Sequence, residues 1–369
     1  MGRSCPCTPR RPPFCPRPVI APDILKEHSN RNPLQLLAVR RERKALLSLL
    51  FLSPILGELV SGSTPPLEFV SPLALGGFLA LYGCGAVLIR DTAIRWDKGW
   101  MTILLLGAAY GVYEEGLVVK SWFDPNWIDL GNLGIYGRFA GVNFVWATLL
   151  TIYHCIVSIA IPIFLTNVLF PDLKGKRLLG DQGTLWALFF FGLVLPAFHL
   201  LVPYYGGPEH LLAVAAAAGL VYLAYRAPRG FLAPQAAVMP TRVRPFGVFG
   251  FVWMMWTFVA TYFFDASGVP WPETCIVLSA SALAALFALR GMLHPANAER
   301  CLFAFLAGAY GFIILFGFFY GVFNPVAGFG MVAVAPAAAI WFYGTYRQQL
   351  PRWRLAPAPL AGPKPQPAP

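Results

Sequence analysis

Apolar runs of about 20 residues, nearly free of charge, recur between residues 45 and 346. A helix of that length spans a hydrocarbon layer about 30 Å thick. Inside such a layer every backbone N–H and C=O must find its partner within the protein, which permits only helices and closed barrels. The alternating segments of ~10 residues that build a membrane barrel are absent. Charged residues make up 12% of the chain, against about 25% in a soluble globular domain. The sequence therefore predicts an all-α polytopic protein embedded in a lipid bilayer. About ten transmembrane helices are expected, at 45–60, 67–89, 99–119, 142–169, 184–203, 209–225, 246–264, 274–290, 301–320 and 327–346.

Charge placement sets the orientation. With residues 1–44 in the cytoplasm and the spans alternating, 26 of the 28 Lys/Arg residues fall on the inner side, leaving Lys120 and Arg138 outside. By the positive-inside rule this favours an N-in, C-in topology in a plasma (inner) membrane. The same distribution explains the net charge of +11. The basic groups are spread over short inner loops rather than gathered in one patch, so no nucleic-acid partner is expected. Residues 1–44 read as a basic, mostly disordered arm, 45–346 as the helical bundle and 347–369 as a Pro-rich cytoplasmic tail. The seven cysteines are scattered with no CxxC pair, as free thiols in a reducing compartment would be. Walker, dinucleotide-binding, haem-attachment and HExxH motifs are absent.

The two halves share a pattern. Ala109-Tyr110-Gly111 and Phe123-Asp124-Pro125 recur 200 residues later as Ala309-Tyr310-Gly311 and Phe323-Asn324-Pro325. A parallel internal repeat of spans one to three on spans seven to nine is therefore an expectation. Glu114, Glu115 and Lys120 become Ile314, Leu315 and Tyr320 in the second copy, so ionisable chemistry belongs to the first.

An ionisable side chain at membrane depth is costly enough to mark a functional site. Glu58, Glu114 and Glu115 fall inside spans. In the expected topology His154 lies near the middle of span four, His199 near the outer end of span five and His210 just before span six. Carboxylate plus imidazole in a dry cavity suits a divalent metal or a general base. It equally suits a proton relay. Glu114, Glu115, His154 and His199 are the candidate catalytic residues; His154, His199 and Glu58 are candidate ligands for a divalent metal. His154, with Thr148, Thr151 and Ser158 on the same span, could instead make an ordinary interhelical hydrogen bond. Neighbours on a helix point about 100° apart. One of Glu114 and Glu115 is thus expected to meet His154 or Glu58, and the other to reach outer water or Lys120. Pro54, Pro162 and Pro196 are candidate helix breaks. Arg90-Asp91 reads as a cytoplasmic anchor, and the aromatic stretch Ser121–Gly141 as an outer loop at the interface.

Adjacent glutamates on one membrane helix followed by histidines on later ones resemble the CAAX-protease and bacteriocin-processing family of intramembrane proteases. Glu114-Glu115 with Lys120 is similar to that family's Glu-Glu-x-x-x-Arg motif, although the base is Lys and falls one residue late. The family's Phe-x-x-x-His motif meets Leu150 before His154 and Leu195 before His199; its His-x-x-x-Asn/Asp motif meets Ser158 and Pro203. The resemblance covers residues 100–205 and implies metal-dependent hydrolysis by those glutamates and histidines. Three functional classes stay open. A transporter or permease with a Glu/His polar site in the outer half of the bundle leads; an intramembrane metal-dependent hydrolase and a non-catalytic membrane scaffold are the alternatives.

Overall fold

The structure, a computed structural model, describes residues 33–128, 130–201, 204, 207–234, 242–324 and 330–355. The expected disorder of residues 1–30 and of the last part of the tail, the cysteines at 5, 7 and 15, and Asp129 lie outside the described residues. Residues 1–41 form one unit and residues 42–369 a second; of the first, only the start of a helix is described.

Ten principal helices are present among the described residues. They are α1 (Pro33–Pro54), α2 (Pro72–Arg95), α3 (Trp100–Val118), α4 (Phe144–Leu169), α5 (Asp181–Leu201), α6 (His210–Arg226), α7 (Arg244–Ala266), α8 (Trp271–Met292), α9 (Ala298–Phe323) and α10 (Met331–Leu355). Seven of them, α2 to α5 and α7 to α9, are long and apolar enough to cross a membrane. The other three fall short in length or apolarity, so α1, α6 and α10 support the expected spans less strongly. Two boundaries differ from expectation. Helix α1 begins at Pro33, inside the stretch read as an arm, and α10 continues to Leu355, so residues 347–355 are helical rather than tail. Basic Arg/Lys positions are good helix formers, and apolar-run arguments miss them.

Starts are set locally. Ser71 caps α2 by accepting from the Ala74 N–H at 3.3 Å, and Asn143 caps α4 by accepting from the Trp146 N–H at 3.0 Å. Between α3 and α4, a two-residue hairpin pairs Arg138 with Asn143 and Phe139 with Val142. Its turn residues Ala140 and Gly141 both have positive φ, at 48° and 82°, as a two-residue hairpin loop requires.

Helix α4 is central. Its Tyr153, Val157, Ile161 and Phe164 join one buried cluster with α7, α9 and α10, while Ile159 and Ile163 join another with α2 and α3. Helices α5 and α6 instead expose rows of apolar side chains, among them Trp186, Phe189, Leu211 and Tyr222, as a lipid-facing surface does. Helices α7 and α9 lie along one another so closely that a Cβ on Gly250 would overlap the Phe305 carbonyl oxygen. Their counterparts in the 200-residue register, α1 and α3, form no such extended pair; α3 packs on α6 and α4. The correspondence between the halves therefore does not extend to packing.

Arg90 and Asp91 are buried rather than a surface anchor. Arg90 donates to the carbonyls of Leu173 at 2.6 Å and Lys176 at 2.9 Å, and to Asp91 at 3.0 Å. Asp91 accepts from the N–H groups of Leu178 and Leu179 at 2.9 and 2.8 Å. The pair pins the α4–α5 loop to α2, and each charge is hydrogen-bonded as burial demands.

Candidate functional site

Four π-helical turns interrupt the first half of the bundle: Ile55–Leu59 after α1, Leu79–Gly83 in α2, Tyr113–Val118 in α3 and His154–Ala160 in α4. Among the described residues, α5 to α10 carry none. A π turn admits an extra residue into the helix and is frequent at functional sites. Each of these four brings a polar side chain to one place: Glu58, Tyr82, Glu114 with Glu115, and His154 with Ser158.

Two of the proposed breaks account for two of the turns. Pro54 directly precedes the first, and Pro162 follows the fourth. Proline lacks an N–H and crowds the carbonyl four residues back. For Pro162 that carbonyl belongs to Ser158, and it is taken by the Ser53 hydroxyl at 2.6 Å. Pro196 sits within α5 without a π turn. Further carbonyls of the π turns are satisfied in the same way. The Tyr153 hydroxyl donates to the Gly57 carbonyl at 2.8 Å and that of Tyr310 to the Leu56 carbonyl at 2.8 Å, while the single Ser53 proton is shared with the Tyr82 carbonyl at the longer distance of 3.1 Å. Buried carbonyls need such partners.

His154 stands at the centre, 3% exposed, with Glu114 at 1% and Glu115 at 8%. Its Nδ1 lies 2.9 Å from Glu114 Oε2 and 3.0 Å from the Ser158 Oγ. Its Nε2 lies 2.9 Å from Glu115 Oε1. The contact of Glu114 Oε2 is close but off-line, so this oxygen is buried without an aligned hydrogen bond. The Ser121 hydroxyl donates to the other Glu115 oxygen and accepts from the Trp146 indole N–H at 3.0 Å. Glu58, half-buried, accepts from the Tyr82 hydroxyl and, at 2.7 Å, from that of Thr64. Tyr82 and Tyr110 flank the imidazole, their ring centres 6.1 and 6.2 Å from it, and both hydroxyls lie beside Glu114.

Two expectations are corrected. Glu114 and Glu115 do not diverge: both are buried, and both meet His154. The expected 100° separation belongs to a regular α-helix, and these residues sit in a π turn. Lys120 takes neither; its ammonium donates to the Tyr204 carbonyl, and burial, partly offset by Asp124, lowers its pKa. His199 does not join the cluster. It is exposed on α5, which leaves three donors, Glu114, Glu115 and His154, whose ligand atoms lie within 4.8 Å of one another. His210 also lies elsewhere, against Phe123 with ring centres 4.3 Å apart.

Sequence reasoning did not single out Tyr82, Tyr110, Ser53, Thr64, Ser121 or Trp146 as residues of the site. A tyrosine deep in an apolar run needs a hydroxyl partner, and that signal was present at Tyr82 and Tyr110.

The three donors could hold a divalent cation through Glu114 Oε2 and His154 Nδ1, with Glu115 accepting from the remaining ring nitrogen. A carboxylate behind a ligating histidine is the common arrangement. As they stand, Nε2 hydrogen-bonds Glu115 while Nδ1 meets the Ser158 hydroxyl with Glu114 beside it; a neutral ring can donate to Glu115 and accept from Ser158, and a protonated ring can donate from both nitrogens. A cation between two carboxylates is how this apolar interior can hold them.

No curated protein and no solved structure matches the chain. Residues 46–344, which include every residue of the cluster, match one family and place the chain in it: the protein belongs to an uncharacterised membrane protein family.

Proposed function

We propose that the protein is an ion-coupled permease of the plasma membrane, and that Glu114, His154 and Glu115 bind its coupling proton. One observation carries this reading: a buried imidazole has each ring nitrogen 2.9 Å from a different buried carboxylate. Such a unit exchanges a proton without leaving a bare charge in the apolar interior. The Tyr82 hydroxyl, beside Glu114 and donating to half-buried Glu58, would extend the proton's path away from His154. Irregular helix turns that meet around a polar site are also how transporters form ion sites at membrane depth.

The test is a pH-difference infrared spectrum of the purified protein in lipid vesicles. A carboxyl and imidazole signal is expected, lost in His154→Gln and altered in both Glu114→Gln and Glu115→Gln. A wild-type spectrum with no such signal ends the proton reading.

A second reading, an intramembrane metal-dependent hydrolase of the CAAX-protease kind, draws on the Glu114 oxygen that has no aligned partner. It lacks the second histidine that His199 was expected to supply. Metal analysis of protein purified without chelator decides between the two: a stoichiometric divalent ion, lost in His154→Gln, would replace the proton reading.

A further inference from the structure

A second polar site lies away from the Glu/His cluster, on the face that the positive-inside rule assigns to the cytoplasm. A cavity of about 1000 Å³ opens between the start of α7, the start of α9 and the end of α10. Four arginines line it, Arg242, Arg244, Arg300 and Arg354, and among the described residues no Asp or Glu does. The adjoining acid, Glu299, is already engaged by Arg352 and by the Trp353 indole. The rest of the lining is largely apolar, including Val243, Pro245 and Leu350.

Three of the arginines, Arg242, Arg244 and Arg354, are exposed at the rim of this cavity. Arg300 is fixed, its guanidinium donating to the Tyr346 hydroxyl at 2.8 and 3.2 Å. Helices α7 and α9 both begin here without a side-chain cap. Their first-turn N–H groups and positive dipole ends add to the field of the four cations.

Four guanidinium groups with no carboxylate among the described lining residues, and two helix starts around one cavity, call for a multiply hydrogen-bonding anion. Arginine's planar fork matches phosphate. The apolar part of the wall calls for a ligand that also carries hydrocarbon. We propose that this cavity binds a phosphate group, and that its source is the headgroup of an anionic phospholipid of the inner leaflet. Basic pockets between helices on this side of a membrane take such headgroups.

The experiment uses the full chain in nanodiscs of phosphatidylcholine with and without phosphatidylglycerol, read by native mass spectrometry after detergent release. The wild type should retain phosphatidylglycerol. The exposed pair Arg242→Gln/Arg244→Gln should lower retention, by roughly fivefold in affinity for each arginine removed. Arg300→Gln should act in the same direction. An unchanged infrared signal of the Glu/His cluster certifies that each variant is folded. A second arm adds soluble glycerol phosphate or inorganic phosphate to lipid-exchanged protein. Weak soluble binding with strong lipid retention supports the proposal. Soluble phosphate that binds as tightly as the lipid overturns the lipid source. Retention that survives the double substitution in folded protein overturns the site.

Discussion

Helices α3 and α9 carry the same Ala-Tyr-Gly segment 200 residues apart and then part company. After Gly311, α9 runs on as regular α-helix to Phe323. There Ile314 is half-buried and Leu315 is 43% exposed, as the 100° step between neighbours dictates. After Gly111, α3 opens into a π turn, and the residues in register, Glu114 and Glu115, are both buried. The comparison isolates what the π turn does. It lets two adjacent side chains serve one interior point, which a regular helix denies them. The irregular backbone and the buried carboxylates are found together in the first half, and neither occurs in α9 after Gly311.

Three comparisons of variants test that link, and the largest effect is expected from exchanging the residues themselves. Glu114→Ile/Glu115→Leu gives α3 the sequence of α9 at these positions. It leaves His154 the Ser158 hydroxyl but neither carboxylate, and breaking a buried ion pair costs about 3–5 kcal/mol. Thermal unfolding in detergent should show the loss, and adding His154→Phe should recover much of it, since an apolar replacement of the whole cluster is close to neutral. If the double variant is as stable as wild type, the cluster does not hold the first half together.

Glycine at the shared position gives the next comparison. A Cβ at Gly111 would lie 3.2 Å from both the Cβ of His154 and the Cα of Thr151, whereas at Gly311 the nearest atom is Phe251 Cδ2 at 3.9 Å. Gly111→Ala should cost about 1–3 kcal/mol by overpacking and disturb the infrared signature of His154. Gly311→Ala should be neutral or mildly stabilising, because alanine is the better helix former. Equal effects at the two sites would remove the distinction between the helices.

The tyrosines beside them differ least. Tyr310→Phe removes a buried hydrogen bond to the Leu56 carbonyl, worth about 0.5–1.5 kcal/mol. Tyr110→Phe removes a hydroxyl that makes no aligned bond, so its stability change should be the smaller. Its effect should appear in the Glu114 infrared band instead. A larger loss of stability from Tyr110→Phe would reverse the assignment.

The sequence disclosed the membrane class through its uncharged apolar runs, and through common depth it narrowed the partner of Glu114 or Glu115 to His154 or Glu58, of which the structure has His154. It could not disclose that both glutamates turn inward, because periodicity arguments assume a regular helix. Pro54 and Pro162 hinted at breaks, but Pro196 carries the same hint in α5, where no π turn forms. What separates them is tertiary: Ser53 is at hand to receive the carbonyl that Pro162 crowds. His199 failed for a related reason. Depth along a span was legible, but rotation about it was not, and α5 turns that residue to the outside. Tyr82 escaped notice because an aromatic in an apolar run reads as packing until its hydroxyl partner is seen.

Ser53 touches the carbonyls of Tyr82 and Ser158 with one hydroxyl, and so ties the irregular turns of α2 and α4 to α1. A π turn stores one residue of slack. Releasing it would rotate the rest of its helix by about 100° and shift it by about 1.5 Å. One hydroxyl so shared joins three helices at two of their irregular turns, and a Ser53→Ala change would leave both carbonyls without it.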